Sequence, residues 1–157
     1  MAEEIKELTA KKVYDTVIAV LDERKWHYST EENMVIRYNV KGDDLPMEFV
    51  ISINADRQMF EIFSPFSFTF SEEKRVEGAV AACALNNRIL YGCFDYKFEN
   101  GNFCYRFSMP FDESEIGSKL IDFLISCSCS IVDDYNDVIF AFANGYLDVN
   151  GFMERIN

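Results

Sequence analysis

Histidine is almost absent: His27 is the only one in 157 residues, so a zinc centre would have to rest on thiolates. The five cysteines offer no spacing for one. Cys127 and Cys129 lie two apart, and on a helix that sends them to roughly opposite faces, where they cannot close on one ion. Together with Cys83, Cys93 and Cys104 they make an odd, irregular set inside apolar segments, which reads as small buried hydrophobes without disulfides. Glycine and proline are scarce too, at seven and three. Gly78, Gly92, Gly101 and Gly117 stand alone, so no Gly-rich phosphate cradle forms, and no Pro/Gly/Ser-rich linker divides residues 1–157 into more than one domain. Basic residues are outnumbered: 15 Lys and Arg face 27 Asp and Glu, a net charge of −12. Such a field repels a phosphate backbone or an anionic leaflet, which excludes nucleic acid and membrane surfaces as partners. The densest basic groups, Lys11-Lys12 and Lys74-Arg75, are short and lie near carboxylates. No apolar run of ~18 residues is long enough to span a bilayer. The acidic start at Glu3, Glu4 and Glu7 contradicts a secretory signal, so the expected compartment is the cytoplasm.

What the chain has in abundance is apolar surface. Apolar residues make up 49% and aromatics 15%, with 15 Phe and 8 Tyr. A domain of this length buries roughly 70% of its unfolded surface, enough to offset chain entropy without staples. Residues 10–22 carry a helical stripe of Ala10, Tyr14, Val17, Ile18 and Leu21 behind a Thr9 N-cap. The period then shifts to two. Trp26 and Tyr28, then Met34 to Val40, Met47 to Ile53, and Phe60 with Ile62 alternate as half-buried strands. Pro65 lacks a backbone donor and so points to an edge position, and Phe66, Phe68 and Phe70 continue the alternation beyond it as an edge strand or extended loop.

A second helix is expected from Glu72 to Leu90 behind Ser71, with the small stripe Val76, Ala79, Val80 and Cys83 letting it lie close on a sheet. Phe94, Tyr96 and Phe98 then alternate, as do Phe103, Tyr105, Phe107 and Met109, around Asn100-Gly101. A two-residue type I′ turn there sets Glu99 opposite Asn102, Cys104 opposite Lys97 and Cys93 opposite Ser108. A long third helix runs from Ile116 to Phe142, with N-caps offered at Asp112 to Ser114 and Asp133-Asp134 as a point where it could divide. A short last helix can follow. The fold class is therefore α+β: an antiparallel sheet of five to six strands with helices packed on one face, in the order α-β-β-β-(β)-α-β-β-α.

Reactive chemistry finds little support. Nucleophilic catalysis needs a base beside a Cys or Ser, and His27 meets a cysteine only by tertiary coincidence. Asp133 with Asp137 on one helical face, or Asp43-Asp44 in a turn, could hold a cation loosely or act as acid and base. With 27 acidic residues such pairs also arise as plain solvated faces. The reading is a non-enzyme with no catalytic residue, no metal and no cofactor.

The stretch from Ala82 to Phe111 carries a family likeness. It contains Leu85-Asn86-Asn87-Arg88-Ile89-Leu90-Tyr91-Gly92, Phe94 and Tyr96, the Asn100-Gly101 turn, Tyr105-Arg106 and Met109-Pro110. A helix ending in an Asn-rich segment, an aromatic strand, a tight turn and a return strand closing on Pro resembles the bacterial YbjN-like domain. That family is similar in fold to the small acidic chaperones of type III secretion. The resemblance implies a dimer-prone module that holds extended or amphipathic polypeptide on sheet edges and apolar grooves without turnover. The Phe66 to Phe70 stretch is richer in Phe than the family pattern, and nothing in the chain identifies a secretion client.

The expected partner is therefore a protein or peptide, with a homodimer also expected. The partner-binding residues expected are Phe66, Phe68 and Phe70 at the edge near Pro65, with Phe94, Tyr96 and Tyr105 of the hairpin. The three Phe rings either offer that edge or simply finish the core. The rival function is a small-molecule-sensing regulatory domain with an aromatic-lined pocket.

Overall fold

In a computed structural model of the protein, residues 1–112 and 114–157 are described, with Ala2 described by its backbone alone. Six antiparallel strands form one sheet: β1 (Tyr28–Glu31), β2 (Val35–Lys41), β3 (Pro46–Asn54), β4 (Met59–Thr69), β5 (Cys93–Lys97) and β6 (Asn102–Pro110), in the order β1-β2-β3-β4-β6-β5. The helices are α1 (Ala2–Glu23), α2 (Arg75–Asn86), α3 (Ser118–Ala143) and α4 (Val149–Arg155). They cover one face of the sheet. Alternation explains which face: Ile36, Tyr38, Phe49, Ile51, Ile53, Phe60, Ile62, Phe103 and Tyr105 all point to the helices and are buried. A one-residue slip would expose that whole row at about 2 kcal/mol each, more than the roughly 5–15 kcal/mol by which a domain is stable. The opposite face is charged, with Val50 and Phe63 half-buried among the polar residues. There Arg37 pairs with Glu31 at 2.6 Å and Glu48 at 3.2 Å, and Arg106 pairs with Asp95 at 2.6 Å.

Several local expectations are corrected, beginning with the helices. The first helix starts at Ala2, ahead of Thr9, whose hydroxyl donates to the Ile5 carbonyl inside the helix. Its first turns leave Ile5 and Leu8 exposed, so the apolar period becomes readable only from Ala10 onward. On α2 the stripe is displaced: Val76, Ala79 and Cys83 face outward, and Gly78, Ala81, Ala82, Ala84 and Leu85 are buried. The smallest residues face the sheet because a Cβ on Gly78 would strike the Tyr96 ring. That helix ends at Asn86, not Leu90, and α3 runs unbroken through Asp133-Asp134 from an N-cap at Gly117.

The hairpin register is corrected as well. Its loop is the four residues 98–101, so Lys97 pairs with Asn102, Asp95 with Cys104, and Cys93 with Arg106. Gly101, at φ +73°, donates its N–H to the Lys97 carbonyl at 2.8 Å, and its own carbonyl accepts from Phe70 at 3.0 Å. Fastening to the backbone of Phe70, just past the end of β4, favours the longer loop over the two-residue turn. The shift is by two residues, so every side chain keeps its expected face. All five cysteines are free thiols, but their reading as buried hydrophobes is corrected: Cys83 is exposed on the outer side of α2, and Cys93, Cys104, Cys127 and Cys129 are half-buried.

The last correction concerns Pro65. It lies inside β4, an interior strand flanked by β3 and β6, and not at an outer edge. A missing donor is tolerated there because the β3–β4 ladder ends at Val50↔Phe63, before Pro65 is reached.

Candidate functional site

Where that ladder ends, the sheet forks. Beyond Val50, the β3 residues 46–49 pair only with β2, and the β4 residues beyond Phe63 pair only with β6. Ser64, 2% exposed, closes the apex, its hydroxyl donating to the Glu48 carbonyl at 2.8 Å in place of a ladder bond. That carbonyl therefore points toward β4, and strand alternation turns the Pro46 carbonyl to the same side. Pro46 and Pro65 sit on the two arms of the fork without backbone donors, which suits an opening that must not zip shut.

A register shift widens the far arm. Pro65 pairs with Cys104 and Thr69 with Asn102, so Phe66, Ser67 and Phe68 stand opposite Phe103 alone. Alternation keeps two rings of this segment on the helix side: Phe66 packs against Phe68 at 5.3 Å and Phe103 at 5.7 Å, and Phe68 meets Phe140 edge-on at 5.3 Å. Leu45, Pro46, Met47 and Glu48 form the other wall, and Val132, Asn136 and Phe140, one helical turn apart on α3, form the floor. The resulting groove has a volume of about 330 Å³, at the lower end of the range for ligand clefts. Its rim is fixed by Asp133, whose carboxylate accepts the Asp43 N–H at 3.0 Å and so holds the β2–β3 loop on α3.

Asn136 is the anomaly of this site. It is 2% exposed, and neither carboxamide atom has a hydrogen-bond partner. Buried polar groups are nearly always satisfied, and leaving one unpaired costs about 1–3 kcal/mol. A second asparagine shows what such a group does when satisfied. Asn86, at the end of α2, accepts the Phe94 N–H at 2.7 Å and donates to the Phe94 carbonyl at 3.0 Å, closing the outer edge of β5 as a neighbouring strand would. The Asn-rich segment read from the sequence owes its first asparagine to this contact.

Of the groove's lining residues only Glu48 ionises, and it is paired with Arg37 on the open face. The half-buried thiols and the buried phenol elsewhere are held neutral: desolvation pushes Cys104 up to about 11, Cys129 up to about 12 and Tyr105 up to about 12. The Arg106 guanidinium beside Asp95 holds that carboxyl below its usual range. Among the described residues no group of His, Cys, Asp and Glu is arranged to hold a metal ion, and no helix is long and apolar enough to cross a membrane.

The six residues expected to bind a partner divide in two. Phe70, Phe94 and Tyr105 are core, at 0%, 2% and 0% exposure, and Tyr96 is half-buried beneath α2. Phe66 and Phe68 are half-buried and line the groove. Sequence reasoning missed Asn136, although a signal was present. Ile121, Ile125, Ser128, Val132, Asn136, Ile139 and Ala143 recur at three- and four-residue spacing and are all buried. An asparagine in that stripe, among apolar neighbours, marks a core position given to a polar group. Ser128, the other polar member, is satisfied by the Tyr105 hydroxyl at 3.4 Å.

No family model matches the sequence, and no curated protein matches it. Among solved structures, the chain is similar to the crystal structure of YbjN from E. coli, described as a candidate regulator of transcription. The TM-score is 0.55 and the identity 10%, over 79% of this chain and 91% of that one. At that identity the shared property is the arrangement of the backbone. The chain has the YbjN-like α+β fold.

Proposed function

We propose that this protein is a non-catalytic binding domain that docks polypeptide in the groove at the β3–β4 fork. One observation carries the reading: an interior strand pair parts over a helix floor to leave an apolar cleft, lined by Phe66, Phe68 and Phe140, that none of the described residues fills. Acid–base turnover needs paired titratable groups, and this lining has one, already engaged with Arg37. The regulatory description of the YbjN structure is in keeping with a domain that works by binding.

The groove replaces the sheet edge as the docking surface. Asn86 occupies the β5 edge at Phe94, and β1 is only four residues long. Fluorescence anisotropy with a library of labelled peptides tests the reading through Phe68→Asp, which places a charge on the groove wall. Circular dichroism confirms that the variant is folded. Peptide binding lost in the folded variant supports the groove, and binding unchanged retires it.

The rival, a small-molecule-sensing domain, draws on the same cavity. Thermal shifts against a metabolite library separate the two, since a bound ligand raises the melting temperature by mass action.

A further inference from the structure

The reading above leaves the kind of polypeptide open, and the inference that follows rests on it. We propose that the groove takes an extended, basic segment through one apolar side chain, and that Asn136 recognises the backbone of that residue. Its carboxamide accepts the occupant's N–H and donates to its C=O.

The chemistry is set by the carboxamide itself. Asn136 offers one acceptor and two donors side by side, buried and unpartnered on the groove floor. An apolar residue of similar size at this position would avoid the cost of burying those atoms unpaired. A residue in extended conformation turns its own N–H and C=O to the same side of the strand, so it matches a carboxamide at both atoms. This molecule already makes that pairing once, between Asn86 and Phe94. Neither polar atom of Asn136 is open to water, so an occupant reaches them as the groove wall gives way. The bulged segment Phe66 to Phe68, opposite Phe103 alone, is the part of β4 least held by β6.

Charge selects the flanks of the segment. Glu48 lines the groove, Asp43 and Asp44 lie on the loop that carries Leu45, and Asp133 anchors that loop. Arg37 is taken by Glu31 and Glu48 together, and Lys41, opposite Pro46 in register, is outnumbered by Asp43, Asp44 and Asp133 around the same loop. On a chain of net charge −12, Lys and Arg beside the apolar anchor are drawn in and acidic flanks are repelled.

The test titrates ¹⁵N-labelled protein with acetylated, amidated pentapeptides of the form Lys-Arg-Φ-Arg-Lys, where Φ is Phe, Leu or Ile. Two controls accompany them: a Glu-flanked version, and an ester analogue in which the N–H of Φ is replaced by oxygen. The proposal expects saturable shifts of the Asn136 side-chain NH₂ pair and of the backbone from Ser64 to Phe68. It further expects roughly tenfold weaker binding of the ester and of the Glu-flanked peptide, the loss of about one well-made hydrogen bond or ion pair. In Asn136→Leu the amide and the ester should bind equally.

Amide and ester binding equally to the unaltered protein, with Phe68→Asp still abolishing both, overturns the Asn136 inference and leaves the groove reading standing. Peptides that shift no groove resonance overturn both. Acetamide or nicotinamide shifting the Asn136 pair where peptides do not would assign the site to small carboxamides and likewise overturn the proposal.

Discussion

Asparagine does two opposite things in this chain. Asn86 satisfies both backbone groups of Phe94, whereas Asn136 leaves both of its polar atoms unpaired. The two predict opposite signs on substitution. Asn86→Ala strips the β5 edge of a donor and an acceptor and is expected to cost about 1–2 kcal/mol. Urea denaturation should show it, together with faster exchange of the Phe94 amide. Asn136→Leu removes a buried unpaired carboxamide and is expected to raise stability by about 1–2 kcal/mol while weakening binding, so that stability and function move apart. A lower denaturation midpoint for Asn136→Leu would mean that the carboxamide has a structural partner.

At the scale of elements, strands were legible and phases on helices less so. Most strands were readable from their alternation, because a period of two admits only two phases and Phe49, Ile51, Ile53 and Phe60 leave no doubt which is buried. β1 was not, since the alternation of Trp26 and Tyr28 stops where Tyr28–Glu31 begins and Ser29 to Glu31 are exposed. Helical stripes admit more rotations. On α2 the larger apolar residues suggested Val76 as an inward position, yet the contact is made through Gly78 so that the helix can approach Tyr96. The hairpin was assigned to the right residues with the wrong loop, because the anchor that selects four residues is the backbone around Phe70, thirty positions away in sequence. Pro65 was read correctly as a position without a ladder bond on one side, but an interior fork and an outer edge look the same from sequence. The site was legible in part: Phe66 and Phe68 were singled out, and their wall and floor partners, Leu45, Met47, Asn136 and Phe140, were not. Those residues meet only through the crossing of α3 over the fork. The rim makes an element-scale prediction. Asp133→Ala frees the Asp43 N–H and should cost about 1 kcal/mol, with hydrogen exchange quickening across residues 42–45 in particular.

For the whole molecule, one face of the sheet is committed to the core, and the other carries the sheet's ion pairs beside half-buried Val50 and Phe63. Arg106 and Asp95 pair across β5 and β6 on that open face. Asp95 has its pKa lowered, first by its hydrogen bond to Arg106. A carboxyl with a depressed folded-state pKa contributes stability above its unfolded value of about 3.9, and loses it as pH falls through the folded value. The pair is well exposed, so the contribution is about 1 kcal/mol or less. Unfolding of the unaltered protein and of Asp95→Asn should therefore differ most near neutrality, and the difference should shrink below about pH 4. An unchanged gap at low pH would mean that the aspartate acts by packing alone.

Binding by the fork can be located across the chain in a single measurement: hydrogen–deuterium exchange with and without the Phe-centred basic peptide. The account predicts protection concentrated at residues 45–48 and 64–68, with the β1 and β5 edges unaffected. Protection at those outer edges, with the fork unchanged, would contradict it.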